Sequence, residues 1–134
     1  MASNDTDYGL EFLLSFDGRV FRLEGDYWVS FRIRRIEATR ERPHGLAYSL
    51  SLHARDGRRL LGFDNAHPVR RAGRRRSLSA SDHWHRSEND PGRPYAFKDA
   101  TTLIKDFFDE AERILREHGI AMRIIKIEEP GRSE

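Results

Sequence analysis

The stretch that decides the fold is YWVSFRIRRI at residues 27–36, together with AYSLSLHA at residues 47–54. In both segments large apolar residues alternate with serine, arginine or histidine, which is the period of a β-strand with one buried face. The buried face is predicted to carry Tyr27, Val29, Phe31, Ile33, Tyr48, Leu50 and Leu52. The opposite face then carries Arg32, Arg34, Ser49, Ser51 and His53.

Further strands flank these two and are separated from them by tight-turn dipeptides. They are predicted at Leu10–Phe16, Arg19–Glu24 and Arg59–Asp64, with a weaker one at Ile120–Ile127. The turns are Asp17-Gly18, Gly25-Asp26 and Asp56-Gly57, which are typical of hairpins. Residues 38–46 contain Pro43 and Gly45 and predict a rigid loop with His44 exposed. Short turns between successive strands indicate an antiparallel meander.

One long helix is predicted at Asp99–His118. Asp99 or Thr101 can cap its start, and Gly119 ends it. Its apolar residues form a single stripe of Leu103, Ile104, Phe107, Phe108, Ala111, Ile114 and Leu115. This stripe has to be buried, and the apolar face of the sheet is the surface available. The predicted fold is therefore α+β, an antiparallel five- to six-stranded meander sheet with one long C-terminal helix packed on one face.

The length of 134 residues predicts a single domain. We expect this α+β domain to span residues 10–127, between a disordered N-terminal tail at 1–9 and a C-terminal tail at 128–134. Within it, residues 65–94 lack apolar periodicity, contain RRAGRRRSLSAS and predict a long basic loop. Loops of this length in a small domain are more often functional or disordered than merely connective.

Composition excludes several classes of protein. Cysteine is absent, so there are no disulfides, no thiolate metal sites and no cysteine nucleophile. No apolar run approaches the roughly 20 residues of a membrane-spanning helix. The first residues, MASNDTDYGL, are acidic and polar and do not resemble a secretory signal. We therefore expect a cytoplasmic protein with no membrane partner.

The net charge of +2 conceals a strongly basic middle segment. Residues 32–98 hold sixteen basic and seven acidic residues, and 21 of the 24 basic residues in the chain are arginine. Because arginine binds phosphate bidentately and stacks on bases, this bias predicts RNA or another nucleic acid as a partner. The predicted contacts are Arg32, Arg34, His53, Arg70, Arg71, Arg74, Arg75, Arg76 and Arg86. The alternative is an ordinary solvated polar surface.

Three histidines follow the strand that ends at Asp64. His67 lies in GFDNAH at residues 62–67, and His83 and His85 lie in DHWHR at residues 82–86. A metal-independent ribonuclease needs a proton acceptor, a proton donor and a cation. Two of these imidazoles and an arginine such as Arg86 or Arg70 suit these roles, and Asp64 can orient one of the rings.

Two other interpretations use the same residues. Asp64, His67, His83 and His85 offer one carboxylate and three imidazoles, a set that Zn²⁺ or Mn²⁺ accepts. In the structural interpretation, Asp64 and Asn65 end a strand through side chain–backbone hydrogen bonds and the histidines pack on Trp84. All three interpretations stay open at this point.

Several segments together resemble the TumE-type family of bacterial and archaeal toxins. The resemblance covers about residues 8 to 118 and rests on YWV at 27–29, RPHGLAYSLSLH at 42–53, GFDNAH at 62–67, DHWHR at 82–86, YAF at 95–97 and LIKDFF at 103–108. The Asp-Asn-Ala and His-x-His elements are the specific parts. This chain departs from many relatives in that Ala66-His67-Pro68-Val69 leads into an Arg-rich insertion.

The resemblance implies a toxin that arrests growth when free, and an antitoxin partner, usually a helix-turn-helix protein. Asp64, Asn65, His67, His83 and His85 are motif positions of the family. Combined with the basic segment, they predict a ribonuclease held inactive by its antitoxin, with no cofactor in the leading interpretation. The alternatives are a non-enzymatic module that binds nucleic acid or protein, and a metal-dependent nuclease. Whether the chain forms a homo-oligomer is left open.

Overall fold

The computed structural model describes residues 3–40, 43–65, 82–87 and 90–130, and the side chains from residue 9 onward within these ranges. Its helices are α1 (Ser3–Leu14) and α2 (Ala100–Glu117), and a short 3-10 turn covers Glu24–Asp26. The strands are β1 (Val20–Leu23), β2 (Trp28–Arg35), β3 (Leu46–His53), β4 (Arg59–Asp64), β5 (His83–His85), β6 (Arg93–Pro94) and β7 (Ile124–Glu128).

The strands form one antiparallel sheet in the order β6-β5-β4-β3-β2-β1-β7. From β1 to β6 each strand pairs with the next along the chain, and β7 returns to pair with β1. The predicted α+β meander with a long C-terminal helix is confirmed. The described residues form seven strands, slightly more than predicted, because β5 and β6 lie inside the segment predicted as a loop at 65–94.

The predicted strand at Leu10–Phe16 is wrong, because these residues belong mostly to α1. The run also has helical spacing, with Leu10, Leu13 and Leu14 on one side of a helix. Leu13 is fully buried whereas Phe12 is 56% exposed, the opposite of what the alternating pattern required. Since α1 begins at Ser3, it also occupies part of the segment predicted as a tail. Asp17-Gly18 is therefore a turn between a helix and a strand, and not a hairpin.

Helix α2 lies where the sequence predicts it. The Asp99 carboxylate caps its start by accepting a hydrogen bond from the Thr102 backbone N–H at 2.7 Å. Leu103, Phe107, Ala111 and Leu115 are fully buried against the sheet. Two helices share this face and not one, because α1 packs beside α2. In the described part of the chain, neither helix has the length and hydropathy needed to cross a lipid bilayer.

The other face of the sheet is not covered by either helix, and we call it the open face. Burial alternates along β2 as predicted, with Val29, Phe31 and Ile33 buried and Arg32 and Arg34 exposed. Strand pairing extends this alternation across the sheet. Residues paired across β2, β3, β4 and β5 point their side chains to the same face, so they form rows that run across the strands.

Candidate carboxylate–histidine site

Strand register places three of the predicted site residues together on the open face. Arg32 pairs with Ser49, Ser49 with Asp64, and Asp64 with His83, so these four form one row across β2 to β5. His85 lies two residues beyond His83 on β5 and therefore faces the same side. The convergence of Asp64, His83 and His85 is thus a consequence of antiparallel pairing and not of spacing along the chain.

The three side chains are within contact distance. His83 Nε2 lies 3.0 Å from Asp64 Oδ1, and His85 Nε2 lies 3.5 Å from Asp64 Oδ2. The two imidazole rings meet edge to face with centroids 4.9 Å apart. The side chains of His83, His85 and Asp64 are only 11%, 12% and 20% exposed. We call these three residues the carboxylate–histidine cluster.

A turn after β5 fixes the ring of His85. Its Nδ1 donates a hydrogen bond to the backbone carbonyl of Asp90 at 3.0 Å, which leaves Nε2 toward Asp64. The Asp90 carboxylate accepts hydrogen bonds from the backbone N–H groups of Arg86 and Gly92, and these bonds lower the pKa of Asp90. Gly92 has φ 100°, and a Cβ there would lie 2.6 Å from His85 Cε1. The turn therefore needs glycine at this position.

An arginine that the sequence did not single out lies beside the cluster. Gly62 pairs with His85 across β4 and β5, and the side chain of Arg59 crosses over Gly62. A Cβ at Gly62 would lie 3.3 Å from Arg59 Cδ and 3.4 Å from Nη1. Arg59 Nη2 donates to the Ser87 carbonyl at 2.6 Å. This guanidinium therefore brings a positive charge over Gly62, the strand partner of His85.

Asn65, the neighbour of Asp64, faces the interior. It is fully buried; its Oδ1 accepts from the Tyr48 backbone N–H at 2.9 Å, and its Nδ2 donates to the Leu46 carbonyl at 3.0 Å. Its own N–H donates to the Tyr48 carbonyl at 3.1 Å. The amide side chain thus extends the β3–β4 ladder by mimicking a further peptide group. The structure does not bring Asn65 into the cluster.

A buried polar network lies behind the cluster. The Asp82 carboxylate accepts hydrogen bonds from the Tyr48 hydroxyl at 2.6 Å and from His44 Nε2 at 3.0 Å. The Leu46 N–H donates to His44 Nδ1 at 3.2 Å, so the hydrogen of the neutral ring is on Nε2. Burial, followed by the negative charge of Asp82, raises the pKa of Tyr48 above its ordinary value.

The prediction that His44 is exposed is wrong. Its side chain is 12% exposed, and its ring centroid lies 4.1 Å from that of Phe97. Sequence reasoning also missed Asp82 as a structural residue. Asp82 directly precedes His83 in the sequence, but only the strand conformation of β5 shows that the two side chains face opposite sides. The end of β4 thus carries Asp64 of the cluster followed by the buried Asn65, and the start of β5 carries His83 of the cluster preceded by the buried Asp82.

The other predicted contacts lie at different places. Arg32 and Arg34 are exposed on the open face, where with Asp17 and Ser49 they line a shallow depression. His53 is on the same face, stacked on Trp28 with ring centroids 5.0 Å apart. Its nitrogens contact the Ser51 hydroxyl and the Gly57 carbonyl.

Arg86 is not beside the cluster, because its guanidinium reaches Glu117 of α2 at 3.3 Å. Trp84 packs against Phe63 at a ring distance of 5.7 Å, so in the described residues the two histidines of β5 face away from the indole. Among the predicted site residues, His67, Arg70, Arg71, Arg74, Arg75 and Arg76 lie outside the described residues. Their predicted roles stay predictions.

Comparison with known protein families identifies the family of this chain. A family model described as "Toxin TumE" matches residues 6–115. The chain belongs to the TumE toxin family. No curated protein and no solved structure matches it significantly. The match includes Asp64, His83 and His85 and ends before β7.

Membership of the TumE family makes this chain the toxin component of a toxin–antitoxin system. It also implies a cognate antitoxin as its partner. Both statements agree with the resemblance identified in the sequence. The chemistry by which the toxin acts follows from neither.

Proposed function

We propose that this TumE toxin acts by cleaving RNA, with the carboxylate–histidine cluster as its active site. The observation that carries the proposal is the approach of both imidazole Nε2 atoms to one carboxylate, at 3.0 and 3.5 Å, on the open face of the sheet. Two imidazoles, the side chains most often used in general acid–base catalysis, lie here beside a carboxylate in one partly buried place. Phosphodiester cleavage is the reaction class that also uses the basic surroundings.

The open face offers a path for the RNA backbone toward the cluster. Arg32 and Asp64 lie in one row, separated only by Ser49. Two strand spacings place their Cα atoms about 10 Å apart. An extended arginine side chain covers much of that distance, so Arg32 can hold one phosphate while the cluster acts on its neighbour. Arg59 supplies positive charge on the other side, beside His85.

The division of labour within the cluster follows from the hydrogen bonds. Both nitrogens of His85 are engaged, one by the Asp90 carbonyl and one toward Asp64. His85 therefore acts as a fixed element of the site. Asp64 lies between the two rings and, at 20% exposed, is the most accessible of the three. It is placed to accept the proton of the attacking group, directly or through a bound water, while the His83 imidazole donates a proton to the leaving oxygen.

The experiment is a cleavage assay with purified protein on matched labelled RNA and DNA, run beside growth measurements in cells that express the toxin without antitoxin. Asp64→Asn and His83→Ala are the test variants. Each should lower RNA cleavage by at least about 100-fold, since a positioned proton-transfer group contributes roughly 10² to 10⁴. Growth should recover in parallel. His118→Gln, at the far end of α2, is the matched control and should cleave like the wild type.

The competing class is a module that binds nucleic acid without cleaving it. In that case RNA binding falls steeply with salt, Arg32→Ala weakens it, and neither Asp64→Asn nor His83→Ala restores growth. Folded Asp64→Asn and His83→Ala proteins that are as toxic as the wild type would overturn the proposed active site. Intact RNA after incubation with the wild-type protein, with and without added divalent ions, would overturn the ribonuclease proposal itself.

A further inference from the structure

We propose that Asp64, His83 and His85 bind one divalent transition-metal ion of the Zn²⁺ or Mn²⁺ type. The inference names the cofactor of the site just described, so its catalytic consequence rests on the proposed function. Metal binding itself does not depend on RNA cleavage. The site consists of one carboxylate and two imidazoles, one potential ligand atom from each residue, all within 4.8 Å of one another.

The hydrogen bonding of His85 is the strongest argument. A carbonyl oxygen can only accept, so the bond from His85 Nδ1 to the Asp90 carbonyl places a hydrogen on Nδ1. When the ring is neutral, Nε2 then carries a lone pair and can only accept a hydrogen bond. This nitrogen lies 3.5 Å from Asp64 Oδ2, and an ionised carboxylate oxygen can likewise only accept. Two electron-rich atoms facing each other need a positive charge between them. A metal ion supplies that charge while leaving the ring neutral.

The arrangement around His85 is the one that metal-ligating histidines use. Such residues bind through one ring nitrogen and donate from the other to a carbonyl or carboxylate, which fixes the tautomer and the ring orientation. Here Asp90 provides the carbonyl, and its carboxylate is itself held by the N–H groups of Arg86 and Gly92 at 2.9 and 2.8 Å. The outer shell of the site is therefore already built.

Two of the three distances between the ligand residues fit a single ion. Ligand atoms about 2.0–2.2 Å from zinc lie roughly 3–4 Å from one another. The two nitrogen–oxygen distances of 3.0 and 3.5 Å fall in this range. Two imidazoles and one carboxylate favour Zn²⁺, Mn²⁺ or Fe²⁺ over Mg²⁺ and Ca²⁺, which prefer all-oxygen ligands. Three protein ligands on the open face leave a further position for water or a phosphate oxygen, as in catalytic sites.

The experiment measures metal binding by the full-length protein after removal of metals with chelator. Calorimetric titrations with Zn²⁺, Mn²⁺ and Mg²⁺ should give one site per chain for Zn²⁺ or Mn²⁺ and no comparable site for Mg²⁺. Titration with Co²⁺ should produce visible absorption bands of a nitrogen- and oxygen-ligated ion. The bound ion should also raise the melting temperature.

Two variants and one control locate the ion. His85→Ala and Asp64→Asn should weaken binding by more than the roughly 10- to 100-fold that loss of an outer-shell partner costs. His53→Gln should bind like the wild type, because His53 is an imidazole of the same open face with different partners. Circular dichroism checks that each variant is folded.

The possible results separate the two proposals. One bound ion that is lost in His85→Ala supports the inference, whether or not RNA is cleaved. Metal binding without RNA cleavage leaves the inference standing and overturns the ribonuclease proposal. RNA cleavage by chelator-treated wild-type protein that binds no Zn²⁺ or Mn²⁺ overturns the inference and leaves the ribonuclease. Binding that persists unchanged in both variants also overturns it.

Discussion

Asn65 and Asp64 are adjacent in sequence, and their replacement should have opposite consequences. Asn65→Ala removes two hydrogen bonds to the backbone of β3, one to the Tyr48 N–H and one to the Leu46 carbonyl. Asn65 is fully buried, so these backbone groups would lose their partners inside the protein. Each such group costs about 1–3 kcal/mol, and the pair therefore about 2–6 kcal/mol. That is a large fraction of the roughly 5–15 kcal/mol by which domains are stable.

Urea unfolding followed by tryptophan fluorescence and far-UV circular dichroism measures this effect. With a slope of about 2 kcal/mol per molar urea, the unfolding midpoint of Asn65→Ala should fall by roughly 1–3 M. Asp64→Ala is the matched control. It removes a side chain whose contacts described above are with two imidazoles, and it leaves no backbone group of β3 unpaired, so its midpoint should fall by less than that of Asn65→Ala.

Activity gives the complementary readout. Asp64→Ala should be stable and inactive in the RNA and growth assays. Asn65→Ala should keep the activity of whatever fraction stays folded, because its side chain does not reach the cluster. An Asn65→Ala protein that unfolds at the wild-type urea concentration and yet has lost its toxicity would refute this reasoning. Asn65 would then be catalytic, as the sequence predicts.

Three further predictions concern the stability of the fold. The pKa of Tyr48 is raised in the folded state, so near pH 10 its hydroxyl loses a proton in the unfolded chain but not in the folded one. The free energy of unfolding should therefore fall as the pH rises from about 9 to about 11. Tyr48→Phe should reduce that slope, and at pH 7 it should lower the free energy of unfolding by about 1.5–3 kcal/mol through loss of the bond to Asp82. Asp99→Ala should lower the free energy of unfolding by about 1 kcal/mol, because it removes the cap of α2. The pKa of Asp99 is lowered in the folded state, so the wild type should lose this extra stability in urea titrations as the pH falls below about 4. Phe107→Ala should lower the free energy of unfolding by about 3–5 kcal/mol in the same titration, since this ring of α2 is fully buried against the sheet.

The central strands and the second helix were predictable because each has a single strong period. Residues 29–34 and 48–53 alternate without interruption, and α2 has an apolar stripe with an acidic cap. Residues 10–16 were not predictable in this way, since Leu10, Phe12 and Leu14 fit a strand while Leu10, Leu13 and Leu14 fit a helix. Packing against α2 decides between the two periods, and that contact is not encoded locally.

The site was predictable in part. The sequence identified Asp64, His83 and His85 as candidates, but their convergence depends on β5 pairing with β4. A strand of three residues has too little alternation to be recognised, and a one-residue change of register would place its histidines on the other face. His44 was misassigned for a related reason. Its polar side chain suggested exposure, whereas it satisfies buried hydrogen bonds.

The alternation of β-strands connects the two halves of this arrangement. Asp64 and His83 face outward, and their neighbours Asn65 and Asp82 face inward, where they bond to Tyr48 and each fix a strand end. A shift of β5 along β4 would therefore break the Tyr48–Asp82 bond and the Asp64–His83 contact together. Since the buried network resists such a shift, it holds the two strands of the cluster in register from behind.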